Sequence, residues 1–136
     1  MTQGHKHLPE MQTICSLAQP PVFSPIIGDY YKGMATTVML PGVDAAKIHE
    51  VLSKWYEGQT FVQVAPLGGD EPMIYADTLA GTNMLRLQVC GHEKQCTITA
   101  VFDNLGKGAS GAAVQNMNLM FGLPEDTGLR LKPSAF

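Results

Sequence analysis

The sequence predicts an α+β domain in which a mixed, mostly antiparallel sheet is covered by helices on one face. Residues 84–89 and 97–102 are rich in alternating apolar or β-branched side chains, and the polar loop 91–94 between them is typical of a hairpin. Residues 44–56 carry apolar side chains at the spacing of one helix face. Because such a helix must cover a partner layer, these observations together predict a sheet with a covered face.

Three helices are expected from local signals. Asp44 is a good N-cap for the 44–56 helix. Pro9 suits the first turn of a helix over residues 9–17, and a third helix follows a glycine-rich turn and spans residues 114–121. The side chains expected to be buried are Met11, Ile14, Cys15 and Leu17 in the first helix, Ile48, Val51, Leu52, Trp55 and Tyr56 in the second, and Val114, Met117, Met120 and Phe121 in the third.

Further strands are expected where β-branched and aromatic residues lie between turn residues. Pro25 would make one of them an edge strand or a bulged strand, since proline cannot donate to a ladder. These predicted strands are residues 22–27, 34–40, 61–65 and 73–80.

Composition limits the classes of protein that the chain could represent. Its 136 residues, 45% hydrophobic and 15% charged, suit a single globular domain over residues 1–136. The net charge of −3, without a basic stripe, gives no electrostatic support for binding nucleic acid. No apolar run approaches the length of a membrane span, and no signal peptide is visible. Three cysteines without C-x-x-C spacing favour a cytoplasmic location and argue against a metal centre.

The glycine-rich turn over residues 103–111 is the first candidate site. Gly106, Gly108 and Gly111 allow a tight turn and a close approach of the backbone. A turn that opens a helix presents unpaired N–H groups at the positive end of the helix dipole, and Lys107 adds a full charge. The turn can therefore face an anion, although a loop that needs glycine only in order to turn is the more common case.

The second candidate site is the pair of histidines near the start of the first helix. Glu10 lies three residues after His7, so its carboxylate can approach the imidazole and orient it. Three interpretations compete for His5 and His7: a metal site, ordinary surface histidines, and acid–base catalysis. The metal site is the least favoured, because no third strong ligand is evident nearby.

Two motifs bear a resemblance to a known family. Residues 103–129, which read DNLGKGASGAAVQNMNLMFGLPEDTGL, and residues 4–11, which read GHKHLPEM, resemble segments of N-acetyl-gamma-glutamyl-phosphate reductase. The resemblance runs over residues 4–129 and implies the substrate and oligomerisation domain of the glyceraldehyde-3-phosphate-dehydrogenase-like reductases. Two positions depart from the family motifs, with Lys6 in place of the usual arginine and Leu8 in place of the common threonine.

The resemblance implies a role for each candidate residue. His7 would be the acid–base residue, oriented by Glu10, with His5 in reserve. The residues implied for substrate binding are His5, Lys32 and Lys107, with Lys32 standing where the family carries an arginine. The residues implied for cofactor binding are Asn104, Gly108 and Gly111.

The resemblance also implies partners that this chain does not itself provide. The reaction reduces a small-molecule acyl phosphate with NADPH, through a cysteine nucleophile in a G-C-Y-like motif and an NADP-binding Rossmann domain, and neither is found in this sequence. The isolated chain is therefore expected to be inactive. The resemblance also implies a homo-oligomer. Two alternatives stay open: a non-catalytic oligomerisation or interaction module, and the related aminoadipyl-phosphate reductase of lysine biosynthesis.

Overall fold

A computed structural model describes residues 4–69 and 73–132 of the chain. It contains three α-helices, one π-helical turn and four strands. In chain order these are α1 (Leu8–Ile14), β1 (Met34–Pro41), α2 (Ala45–Trp55), β2 (Val62–Val64), β3 (Leu85–His92), β4 (Gln95–Phe102), the π-helical turn (Gly106–Ser110) and α3 (Gly111–Met120).

The four strands form one mixed sheet in the order β1-β4-β3-β2. β4 pairs antiparallel with both β1 and β3, whereas β2 pairs parallel with β3. β3 and β4 form the predicted hairpin, and the longer connection from β2 to β3 is the kind that parallel neighbours require. The predicted α+β class and its mixed, mostly antiparallel sheet are confirmed.

Helix α2 covers one face of the sheet and builds the core with it. The Asp44 carboxylate accepts a hydrogen bond from the Ala46 N–H at 2.9 Å, which confirms the predicted N-cap. Ala45, 1% exposed, packs with Val89 and Cys96 of the sheet. Further apolar side chains that pack against this cluster are Leu40, Val43, Ile48, Leu52 and Ile98.

The opposite face of the sheet carries a different set of side chains. Because successive side chains of a strand alternate between faces, residues next to the core positions point away from α2. Its members on the three long strands include Thr37, Met39, Gln88, Cys90, Thr97 and Thr99.

Two predicted strands are absent from the described chain. Residues 22–27 have no regular structure, since prolines at 20, 21 and 25 remove donors that a ladder needs. Residues 73–80 form turns instead: the Thr78 N–H and hydroxyl both donate to the Tyr75 carbonyl, and the Ala80 N–H donates to the Asp77 carbonyl. These local hydrogen bonds replace strand pairing.

Several side chains that were expected to be buried are exposed. α1 ends at Ile14, close to Ser16 in the left-handed region at φ 52°, so Ile14, Cys15 and Leu17 face solvent and Leu8 is the buried residue. Helix α2 likewise leaves Val51 and Trp55 exposed, because the sheet reaches only the stripe around Ala45, Ile48 and Leu52.

Helix α3 differs most from its expected burial. Met117, Met120 and Phe121 are exposed, and Val114 is half-buried. The helix instead buries Gly111 and Asn118. The helix therefore contacts the rest of the domain through the backbone at Gly111 and the side-chain amide of Asn118, and not through its apolar stripe.

Candidate functional site

Asp103 is the centre of the candidate site. It follows β4 and is 1% exposed. Its Oδ2 accepts a hydrogen bond from the Gly81 N–H at 2.6 Å, and its Oδ1 accepts from the Leu105 and Gly106 N–H groups at 2.8 Å each. The Lys32 ammonium lies 3.6 Å from Oδ2. Burial alone would raise the pKa of Asp103, but the three N–H donors and Lys32 outweigh it and lower this pKa.

In this arrangement the glycine turn faces an anion of its own chain. The turn is itself helical over Gly106–Ser110, and its first N–H groups are bound by the Asp103 carboxylate of the same chain. The Gly108 N–H also donates to the Asp103 main-chain carbonyl at 2.8 Å. The helix start therefore holds an internal anion, and these donors are not free for an external one.

The glycines of the turn are needed for close packing within the chain. A Cβ at Gly108 would lie 3.1 Å from the Phe102 ring. A Cβ at Gly111 would collide with the Asn83 Oδ1 and would lie 2.9 Å from the Gly106 carbonyl. The sequence correctly predicts a close approach at Gly111, and the group that approaches is a buried asparagine side chain.

Asn104 and Lys32 lie together where β1 begins and β4 ends. The Gly33 N–H donates to the Asn104 Oδ1 at 2.8 Å, next to the ion pair between Lys32 and Asp103. Gly33 has φ +126°, and a Cβ there would clash with the main chain at Ala76. The Asn104 side chain therefore fixes the backbone at Gly33 through its Oδ1.

A cavity of about 340 Å³ lies beside Asp103. It is bordered by Lys32, Asn83, Ser110 and Arg130, among other residues. Lys32 is partly exposed, with 36% of its side chain accessible, so it can present its charge to this cavity. The Asn83 N–H donates to the Arg130 carbonyl at 2.7 Å, which holds the chain after α3 against the cavity wall.

Lys107 lies in a different environment from Lys32. Its ammonium donates to the Gln115 Oε1 at 2.7 Å and sits 5.2 Å from the centre of the Phe61 ring. Gln115 in turn donates to the Glu125 carboxylate at 3.1 Å. Burial lowers the pKa of Lys107, against the opposing effect of Glu125. Lys107 is not among the residues that line the cavity beside Asp103.

The two histidines stand at the entry to α1. His7 is exposed and its main-chain N–H donates to the His5 Nδ1 at 3.3 Å, while the two rings lie 4.9 Å apart in an edge-on arrangement. The His5 ring also contacts Phe23, at 4.7 Å between centroids. Glu10 is exposed, and within residues 4–69 and 73–132 no ion pair joins its carboxylate to His7.

The structure therefore brings together only some of the predicted site residues. Lys32 and Gly111 line the cavity beside Asp103, and Asn104 lies next to it through its bond to Gly33. Lys107 and the histidines are engaged with other partners. Sequence reasoning missed the central role of Asp103. An aspartate that opens a glycine-rich turn can accept from the N–H groups two and three residues later, and this local signal could have indicated it.

A larger cavity of about 650 Å³ lies beside β2 and contains none of the predicted site residues. Tyr56, Arg86 and Gln88 are among its lining residues. In the part of the chain that the structure describes, no group of three or more His, Cys, Asp or Glu side chains could hold a metal ion. No helix among the same residues is long and apolar enough to cross a membrane.

Comparison with known proteins defines the class to which this fold and site belong. Residues 1–104 match the family model described as "Semialdehyde dehydrogenase, dimerisation domain". Because this match covers most of the chain, the chain belongs to the semialdehyde dehydrogenase dimerisation-domain family.

Two relatives that the chain resembles are N-acetyl-gamma-glutamyl-phosphate reductases. The chain is 43% identical over 139 residues to "N-acetyl-gamma-glutamyl-phosphate reductase 2" of Nostoc sp., covering 93% of this chain and 43% of that protein. It is 45% identical over 128 residues to the N-acetyl-gamma-glutamyl-phosphate reductase of Brucella ovis, covering 87% of this chain and 41% of that protein. The chain thus spans less than half of the length of these relatives.

Proposed function

We propose that this chain is the C-terminal substrate and oligomerisation part of an N-acetyl-gamma-glutamyl-phosphate reductase. The reaction is the NADPH-dependent reduction of N-acetyl-glutamyl phosphate to its semialdehyde, in arginine biosynthesis. The observation that carries this proposal is the identity of 43–45% to reductases of that name over 87–93% of the chain. A cytoplasmic location follows from the same proposal.

The chemistry needs a nucleophile that this chain does not supply. A thiolate attacks the acyl phosphate, phosphate leaves, and hydride reduces the resulting thioester to the aldehyde as the thiolate departs. Cys96 is a poor candidate, because burial, with smaller effects from Cys90 and Asp44, raises the pKa of its thiol. Neither Cys15 nor Cys90 lies in a G-C-Y-like motif, so the nucleophile is expected in the remaining part of the reductase.

His7 is the proposed acid–base residue of this chain. Its exposure at the start of α1 supports the role, since the ring is open to a substrate held by another domain. The His5 ring contacts the His7 imidazole, and Glu10 is the proposed orienting carboxylate, although no ion pair joins it to His7 among the described residues. His7 would hold the proton that moves to or from the substrate oxygen.

Lys32 is the stronger of the two proposed substrate-binding lysines. Its partly exposed ammonium borders the cavity, whereas the ammonium of Lys107 is engaged by Gln115. Lys32 carries the charge for a phosphate or carboxylate group, as a point charge without a bidentate fork. His5 would assist at the substrate only if its ring left Phe23.

NADP is expected to be held mainly outside this chain. The residues of the glycine turn do not fit a pyrophosphate, because Asp103 occupies the N–H groups at the helix start. Gly108 and Gly111 are explained by packing against Phe102 and Asn83, which leaves Asn104 as the proposed nicotinamide contact. When bound, the cofactor supplies the hydride.

A chimera tests the proposal. This chain replaces the matching segment of the Nostoc reductase, and phosphate-dependent reduction of NADP by N-acetylglutamate semialdehyde is measured. We expect activity in the chimera and none in the chain alone. A folded chimera that turns over no substrate would contradict the proposal.

Two other candidate functions are separated by the same chimera. A lysine-pathway reductase would turn over the aminoadipate semialdehyde derivative in preference to the glutamate one. A non-catalytic interaction module is supported by the family description, which calls this part of a semialdehyde dehydrogenase its dimerisation domain. It predicts an inactive chimera together with a stable oligomer of the isolated chain.

A further inference from the structure

The segment that follows α3 forms one wall of the cavity beside Asp103. We call residues 124–130 the strap. The buried Asn118 of α3 holds it, because its Nδ2 donates to two main-chain carbonyls of the strap at 3.1 and 2.9 Å. At the end of the strap, the Arg130 carbonyl accepts from the N–H of the buried Asn83 at 2.7 Å. These bonds to buried residues fix the position of the strap, and with it the place of Arg130 at the cavity.

The strap brings a second cation to this cavity. Among the described residues that line the cavity, the charged ones are Lys32, Asp103 and Arg130. The Lys32 ammonium lies 3.6 Å from the Asp103 Oδ2, so the charges of these two residues largely offset each other. Arg130 therefore leaves the lining with a net positive charge, which favours an anionic ligand.

The two cations are placed beside the same short segment, residues 81–83. A Cβ at Gly81 would lie 3.5 Å from the Lys32 Nζ, whereas Arg130 is bonded through its main chain to Asn83. Two residue steps span at most about 7 Å. One small molecule with an anionic group at each end can therefore contact both side chains.

The surroundings of the two cations indicate which end of the substrate each would hold. Asn104, the proposed nicotinamide contact, accepts from the Gly33 N–H directly after Lys32. The reacting acyl phosphate must lie near the nicotinamide, and so at the Lys32 end of the cavity. The carboxylate, which does not react, is left for the Arg130 end.

The chemistry of the arginine side chain suits this division. A planar guanidinium forms two parallel hydrogen bonds to a carboxylate, whereas a lysine ammonium is a point charge. Arg130 is exposed, so its side chain is accessible to a ligand in the cavity. The guanidinium has five N–H donors, so it can bind a carboxylate while it keeps another contact.

We propose that Arg130 is a further substrate-binding residue, whose guanidinium holds the carboxylate of the substrate while Lys32 faces its phosphate. The proposal rests on the proposed reductase function, and it assigns the two ends of the substrate to two walls of one cavity. Arg130 lies outside residues 1–104, which match the family model, so the family match does not by itself assign this role.

The reverse reaction separates the two anionic groups, because the carboxylate enters on the semialdehyde and phosphate enters as a separate substrate. In the chimera with the Nostoc reductase, R130A should raise the KM for N-acetylglutamate semialdehyde by about 10- to 100-fold, the usual contribution of a hydrogen bond to a charged group. The KM for phosphate and kcat should stay close to the parent values, since the lost contact is the same in the ground state and the transition state. R130K should recover part of the loss, because lysine keeps the charge without the fork.

K132A is the matched control for R130A. It removes a positive charge two residues further along, at an exposed position that does not line the cavity, and it should leave both KM values unchanged. R130A retains the main-chain carbonyl that is bonded to Asn83, and circular dichroism verifies that both variants are folded. A semialdehyde KM in R130A equal to that of K132A, or a rise in the phosphate KM alone, would overturn the proposal.

A binding measurement keeps this proposal separate from the reductase assignment. The isolated chain is titrated with N-acetylglutamate, which carries a second carboxylate in place of the acyl phosphate, and the amide signals of residues 81–83 are followed by NMR. The parent should show saturable shifts, and R130A should need about 10-fold more N-acetylglutamate. Equal titration curves for the two proteins, or no saturable shift in the parent, would overturn the role of Arg130. Binding that depends on Arg130 together with an inactive chimera would instead contradict the reductase function.

Discussion

Replacing Asp103 by asparagine removes a charge from a carboxylate that organises the turn after β4. Asparagine keeps one oxygen for the Leu105 and Gly106 N–H groups. Its NH₂ group, however, replaces the oxygen that accepts from the Gly81 N–H at 2.6 Å, so two donors face each other. The loss of this charge-assisted bond and the unsatisfied donor together cost about 3 kcal/mol of unfolding free energy. Lys32 adds little, because it is partly exposed.

Urea denaturation at neutral pH measures this loss directly. D103N should unfold at a clearly lower urea concentration than the parent with an unchanged slope. D29N, at an exposed aspartate, is the matched control and should behave like the parent. A D103N protein within about 0.5 kcal/mol of the parent would refute the reasoning, since that is the range of ordinary surface substitutions.

The effect of D103N on the free energy of unfolding should also depend on pH. The pKa of Asp103 is lowered in the folded chain, so its carboxylate stabilises the fold fully above the unfolded-state pKa of about 4. This contribution is lost as the pH falls through the folded pKa. The stability difference between the parent and D103N should therefore shrink in acid. A difference that stays constant through this range would contradict the assignment.

Two further substitutions test the packing around α3. G111A places a Cβ against the Asn83 Oδ1 and should lower the melting temperature by about 4 °C or more, measured by circular dichroism; an unchanged melting temperature would mean that Asn83 moves freely. N118A removes an amide that donates to the Glu125 and Thr127 carbonyls at 3.1 and 2.9 Å. It should cost about 2 kcal/mol and speed hydrogen exchange after α3, and unaltered exchange there would refute this role.

The helices and strands that could be predicted from the sequence are those whose signals lie within a few neighbouring residues. The helix after Asp44 carries its N-cap and its apolar period within a few residues, and the β3–β4 hairpin carries its turn between two strands. Residues 22–27 have strand-like composition, but a strand exists only where a partner pairs with it, and composition does not name the partner.

The candidate site was harder to predict because its contacts join distant parts of the chain. The bonds from Asp103 to Leu105 and Gly106 are local and follow from N-cap chemistry. Those to Gly81 and Lys32 join segments that are far from Asp103 in the sequence, so they have no signal in the local sequence. The expected burial of the apolar side chains of α3 was wrong for a related reason. The spacing of apolar residues predicts that they share one face of the helix, but it does not indicate whether another surface covers that face.

The histidine at the start of α1 gives the most direct test of the proposed reductase function. In the chimera with the Nostoc reductase, H7N should lower the turnover of phosphate-dependent NADP reduction by about 10²–10⁴-fold, the usual contribution of general acid–base catalysis. H5N, at the neighbouring ring, should have a smaller effect and controls for disturbance of the α1 entry. Turnover of H7N equal to that of the parent chimera would contradict the account.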